Sequence, residues 1–144
     1  MRFHKMTGSG NDFVFVDARG DAALATQAMD PAWIARVCAP HFGVGADGVV
    51  VVEAAPGLAF RIAYFNADGS RANLCGNASL CAARLGIELG IADPAGFRFG
   101  SDAGVLNGRR REDRRIEVDL NPFDRLEPSV PVGLVAGERR AGFG

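Results

Sequence analysis

Residues 76–89 constrain the fold most, because Ala78, Leu80, Cys81, Ala82, Ala83, Leu85, Ile87 and Leu89 surround most of the helix they would form. A helix apolar nearly all round is a buried helix, so other elements must wrap it. Arg84 and Glu88 leave it one polar edge at i,i+4, and Gly90 marks its end. The segments available to do the wrapping are mostly short and β-like. Residues 2–6 and 13–17 flank the turn-forming Gly8-Ser9-Gly10-Asn11-Asp12, a pattern that predicts strand, loop, strand. Residues 49–53 are a β-branched run, and residues 58–65, after Pro56-Gly57, form its expected antiparallel partner. Residues 97–101, 103–106 and 116–120 read as further strands, the last two joined across the charged run 109–115, and Asn121-Pro122 closes the region. A second helix is expected where Asp30-Pro31 offers an N-cap and a proline at the first position, with Trp33, Ile34, Val37 and Cys38 on one face and Pro40 as its stop. The class is therefore α/β of the α+β type, a buried helix amid several strands. Residues 127–144, spaced by Pro and Gly, look like a linker or the start of something further.

Composition narrows the function. With 48% hydrophobic and 23% charged residues in 144, the chain has the balance of a globular domain rather than a disordered or collagenous one. A formal net charge of -1 gives no electrostatic footprint for nucleic acid or an anionic membrane, so neither is an expected partner. No apolar run reaches the roughly 18 residues of a membrane helix. Met1-Arg2-Phe3-His4 has neither a long apolar leader segment nor a myristoylation glycine, and cytoplasmic residence is expected. Cys38, Cys75 and Cys81 form no CxxC pair, which argues against a disulfide framework or a zinc site and for reduced thiols. Without a secretory signal, the sequon Asn77-Ala78-Ser79 is an accidental match.

Several motifs lose their sharper reading in context. Residues 43–48, Gly-Val-Gly-Ala-Asp-Gly, fit G-x-G-x-x-G, with Asp68 20 residues beyond the last glycine. A dinucleotide fingerprint must follow a strand and open a helix, however, and here a helix precedes and a strand follows. A tight glycine loop is expected, and Gly8-Ser9-Gly10 is likewise a hairpin turn. The five arginines of residues 109–115 are interrupted by Glu112 and Asp113 and lack interleaved aromatics, as in a solvated hairpin tip. His4 and His41 have no partner at an informative spacing.

The strongest chemical signal is Asn66-Ala67-Asp68-Gly69-Ser70-Arg71-Ala72-Asn73-Leu74-Cys75-Gly76-Asn77, which puts one thiol at the N-terminal mouth of the buried helix. There the helix leaves backbone amides unpaired, and they favour negative charge on sulfur. Cys38 and Cys81, on apolar helix faces, read as packing residues.

Taken together, Phe3-His4-Lys5-Met6 with Gly10-Asn11-Asp12-Phe13, residues 42–48, Phe65-Asn66-Ala67-Asp68-Gly69-Ser70 and Cys75-Gly76-Asn77 resemble the N-terminal half of the diaminopimelate epimerases, amino-acid epimerases that work without pyridoxal phosphate. The resemblance implies a curved mixed β-sheet wrapped around a central helix, one lobe of a pseudo-symmetric pair with the active site in the cleft between them. It implies that Cys75 is one of two catalytic cysteines and that Asn11, Asn66, Gly76 and Asn77 contact the substrate. It implies diaminopimelate as substrate, no cofactor, no metal, and a homodimer. On this reading residues 1–125 form the lobe, residues 126–144 begin a linker to a second lobe, and the second lobe of the same enzyme is a required partner. Thr7 and Ser9 stand where His and Leu are frequent, Gly48 where some members have Gln, and Ala78, Ser79 and Leu80 where Gly-Ala-Arg is common.

Inverting an α-carbon requires taking a weakly acidic proton from one face and returning one to the other, which two thiols on opposite sides can do. A helix dipole supplies only about 0.3 to 2 kcal/mol, at most roughly 1.5 pKa units. Aimed hydrogen bonds in a closed cleft must do the rest, so a single lobe is expected to bind weakly and not complete the reaction. The alternatives are a related racemase acting on another amino acid, or a non-catalytic lobe that serves as a binding module.

Overall fold

The computed structural model describes residues 1–119. Its strands join in one curved mixed sheet, with helices on both faces. Strands β1 (His4–Gly8) and β2 (Asn11–Asp17) form an antiparallel hairpin in which Gly8 pairs with Asn11. The turn is only Ser9-Gly10, both at positive φ (51° and 88°), the conformation whose twist suits a two-residue hairpin. The five-residue loop expected from the sequence is thus mostly strand.

β2 pairs in parallel with β3 (Gly48–Glu53), and a parallel pair needs a crossover. Helices α1 (Ala22–Ala28) and α2 (Pro31–Cys38) supply it. α2 starts as expected, with Asp30 Oδ1 accepting from the amides of Ala32 (2.7 Å) and Trp33 (3.0 Å). α1 was not anticipated. Capped by Asp21, it is mostly alanine and lacks the alternation that marks an amphipathic helix.

β3 pairs antiparallel with β4 (Arg61–Asn66), which begins three residues later than the sequence indicated, because Leu58 is still held in a turn by a bond to the Ala55 carbonyl (3.2 Å). The two-residue β5 (Arg71–Ala72) folds back on β4. Helix α3 (Gly76–Glu88) follows, then β6 (Phe97–Ser101), β7 (Gly104–Arg110) and β8 (Ile116–Asp119), giving the sheet order β1-β2-β3-β4-β6-β7-β8. β7 draws Arg109 and Arg110 into the sheet, so the expected charged tip shrinks to residues 111–115. Leu120, Asn121-Pro122 and the expected linker at 126–144 lie outside the described residues.

Side-chain alternation along β2 and β3 explains the two layers. Phe13, Phe15, Val50 and Val52 face α3, whereas Val14, Val16, Val49 and Val51 face α1 and α2. A strand buried on both faces reads as a continuous apolar run, as residues 49–52 do. α3 is the buried helix the sequence called for, with Ala78, Ser79, Cys81, Ala82, Ala83, Leu85 and Gly86 inside and Arg84 bonded to Glu88 (2.7 Å) at the exposed edge. Ser79, a buried polar residue, is satisfied by donating to the Cys75 carbonyl (3.0 Å). Among the described residues no helix is long and apolar enough to cross a membrane.

Candidate active site

The site gathers at the N-terminal end of α3, where the β1–β2 hairpin, the loop before β3 and the end of β4 converge. Cys75 is the N-cap residue of α3, in extended conformation and half-buried. Its side chain makes no capping bond, so the amides of Gly76 and Asn77 carry no cap. Uncapped amides at a helix start are an anion-binding arrangement. The other two thiols differ. Cys38 and Cys81 are buried, and burial pushes both thiols up, with Asp47 adding to the effect on Cys38 and Cys75 to that on Cys81.

A hydrogen-bonded chain anchors one side of the helix start. Asp47 Oδ2 accepts from the Asp12 amide (2.8 Å) and from Asn11 Nδ2 (3.3 Å), while Asn11 Oδ1 accepts from Asn77 Nδ2 (2.8 Å). Both ends of the Asn11 amide are thereby assigned, and Asn11 is tied to the first turn of α3. Thr7 donates to Asp12 Oδ1 (2.6 Å), and that bond, with Lys5 nearby, holds the Asp12 carboxyl below the ordinary carboxylate range. Gly8 allows the hairpin to press this close, since a Cβ there would lie 2.8 Å from Cys81 Sγ and 3.0 Å from the Asn77 carbonyl oxygen.

The opposite side is built from β4. Asn66 Nδ2 donates to Ser70 Oγ (3.0 Å), and its Oδ1 accepts from the Tyr64 hydroxyl (3.1 Å). Burial, followed by the charge of the Cys75 sulfur, pushes the Tyr64 phenol up to about 12. It therefore stays a protonated donor throughout the neutral range.

The sequence-predicted residues Cys75, Asn11, Asn66, Gly76 and Asn77 thus come together from three separate segments. Sequence reasoning misses Tyr64 and Asp47, for neither announces itself locally. In the sequence Tyr64 is one more residue of an apolar strand, and Asp47 is part of the glycine loop. That loop joins α2 to β3, in the order that excludes a dinucleotide fingerprint. Among the described residues no group of three or more His, Cys, Asp or Glu side chains is placed to hold a metal.

Comparison with known proteins gives a consistent pattern. The family model described as diaminopimelate epimerase matches residues 3–125. The chain is 41% identical to the diaminopimelate epimerase of Gemmatimonas aurantiaca over 99% of its own length and 51% of that protein's. It is 40% identical to that of Aquifex aeolicus over 91% of this chain and 47% of the relative. The chain therefore spans about half the length of the curated relatives it matches. In fold it is similar to the crystal structure of a methylitaconate-delta-isomerase, with a TM-score of 0.58 and 15% identity over 88% of this chain and 38% of the other.

Proposed function

Since the chain belongs to the diaminopimelate epimerase family, we propose that it is one lobe of a cofactor-independent enzyme that interconverts LL- and meso-diaminopimelate on the route to lysine and the cell wall. The observation that carries this reading is a half-buried thiol at an uncapped helix start, beside the Asp47–Asn11–Asn77 chain. Cys75 as thiolate takes the α-proton from one face. The electron pair left on carbon is delocalised into the α-carboxylate, whose oxygens receive bonds from the Gly76 and Asn77 amides. A second thiol on the opposite face, supplied by a second lobe, then gives a proton to carbon, which inverts the centre. Asn11 and Asn66 contact the substrate. Each still has unused amide capacity after its bonds within the lobe.

In this reading residues 1–125 form the lobe and residues 126–144 lead towards the second, which completes the cleft. The assembled enzyme is a homodimer, and the three unpaired thiols of this lobe suit the reducing cytoplasm. Alone, the lobe binds substrate weakly and completes no epimerisation.

Selective alkylation tests the reading. With limiting iodoacetamide near neutral pH and peptide mapping by mass spectrometry, Cys75 should react at least about tenfold faster than Cys38 or Cys81, whose burial disfavours thiolate and blocks the reagent. Comparable rates at all three would favour a non-catalytic binding module instead.

A further inference from the structure

We infer that Asp47 is a positioning residue, one of whose carboxylate oxygens sets which way round the side-chain amides of Asn11 and Asn77 are held. The inference deepens the functional reading above and rests on the substrate contacts proposed there for these two residues.

The fixed point is a backbone group. The Asp12 amide can only donate, and its bond to Asp47 Oδ2 (2.8 Å) puts an acceptor at that position. The Asp47 amide in turn donates to the Asp12 carbonyl (2.8 Å), so Asp47 holds Asp12 by backbone and side chain at once. This double contact lies just ahead of the first pair between β2 and β3, Phe13 with Gly48. The oxygen is therefore anchored to the sheet.

From that oxygen the order of donors and acceptors follows link by link. Asn11 reaches the same Oδ2 (3.3 Å), and only its Nδ2 can answer an acceptor. Its Oδ1 is thereby turned to α3, where it accepts from Asn77 Nδ2 (2.8 Å). Asn77 is fixed in turn, since an amide that meets a carbonyl oxygen must present nitrogen. Reversing one amide would set two oxygens or two N–H groups against each other. One main-chain donor thus orders two side chains that stand 66 residues apart.

The order matters because an amino acid carries opposite charges on one carbon. After these bonds each Nδ2 keeps one hydrogen, which suits a carboxylate, and Asn77 Oδ1 keeps its lone pairs, which suit an ammonium group. A reversed pair would offer the same groups at exchanged positions and mismatch both. Position 47 must therefore supply an oxygen, and its charge is secondary. Asp47→Asn keeps the oxygen, because the Asp12 amide draws the carbonyl end of the new side chain to itself. Asp47→Ala removes it.

The test compares these two variants with the unmutated, 15N-labelled full chain. Without ligand, a nuclear Overhauser cross-peak should join the Asp12 amide hydrogen to one Nδ2 hydrogen of Asn11, because both point at the same oxygen. It should persist in Asp47→Asn and vanish in Asp47→Ala. In a titration with diaminopimelate, Asp47→Ala should raise the dissociation constant about tenfold and Asp47→Asn by less than about threefold. An absent cross-peak in the unmutated chain, or equal losses of affinity in the two variants, would overturn the inference. Should Asp47→Ala fail to fold, the unmutated chain and Asp47→Asn decide by themselves, and a tenfold loss in Asp47→Asn would show that charge, not amide order, is what Asp47 supplies. The cross-peak needs no substrate. Its absence removes the amide order alone, whereas a chain that shows it and binds no diaminopimelate keeps the amide order and loses the functional reading.

Discussion

Cys75→Ala is expected to lower kcat for diaminopimelate epimerisation by at least about a thousandfold in an enzyme that joins this chain to the second lobe proposed above, within the range that general acid–base catalysis supplies. KM should change by less than about threefold. The groups that would bind the carboxylate and the side chains around it do not include the sulfur, since the Gly76 and Asn77 amides are uncapped and the Asn11–Asn77 bond is independent of Cys75. A loss confined to kcat is the signature of a group that acts only in the transition state. Alanine removes only the sulfur, cannot cap the Asn77 amide as a serine at this N-cap position would, and replaces a side chain that caps nothing, so the fold should be unaffected. Steady-state kinetics with both stereoisomers, together with deuterium wash-in at the α-carbon, would read the result. Retention of more than about a tenth of the activity would mean that Cys75 does not carry the proton.

Phe60→Ala should have the largest effect on stability, about 3 to 5 kcal/mol by urea denaturation, a large share of what a domain of this size has. Phe60 is fully buried just before β4, stacked on Phe99 with centroids 5.1 Å apart and tilted against Phe97 at 6.0 Å. Its ring also fills the notch in α3 at Gly86, where a Cβ would lie 2.4 Å from Cε1. Removing it opens a cavity between the helix and the sheet that neither backbone can close. Phe60→Leu, which refills much of the space, should lose less than half as much. Because α3 carries Cys75 at its other end, the alanine variant should also blur the difference in alkylation rate among the three thiols. A loss below about 1 kcal/mol for Phe60→Ala would show that α3 is not seated on this ring.

The parts of this molecule that were legible in its sequence are those whose signal is local and strong. The apolar circumference of α3 announced a buried helix, and the β-branched run at 49–52 announced a strand covered on both faces. The order of helix, glycines and strand around residues 43–48 was enough to set aside a dinucleotide fingerprint. α1 left little trace, because its alanines give helix propensity without periodicity. β5 is two residues long and has no pattern to detect. In the site, Cys75 could be singled out because an N-cap position has physical meaning by itself. The Asp47–Asn11–Asn77 chain could not, since its bonds span 36 and 66 residues and exist only after the hairpin, the loop and the helix have met. Tyr64 was hidden for the same reason. Its hydroxyl enters the site through the bond to Asn66 and through the space that Gly48 leaves on the neighbouring strand, a relation that strand patterning does not encode.

The most direct test of the account is an amide-resolved titration of the 15N-labelled chain with diaminopimelate at roughly millimolar concentrations, the range suited to the weak binding proposed for this lobe by itself. The backbone signals of Gly76 and Asn77 and the side-chain amides of Asn11 and Asn66 should move together along one saturable curve, and pimelate, which lacks both amino groups, should shift them less. If those four signals stay still while others respond, or if the ligand moves nothing at tens of millimolar, the start of α3 is not where the substrate carboxylate docks.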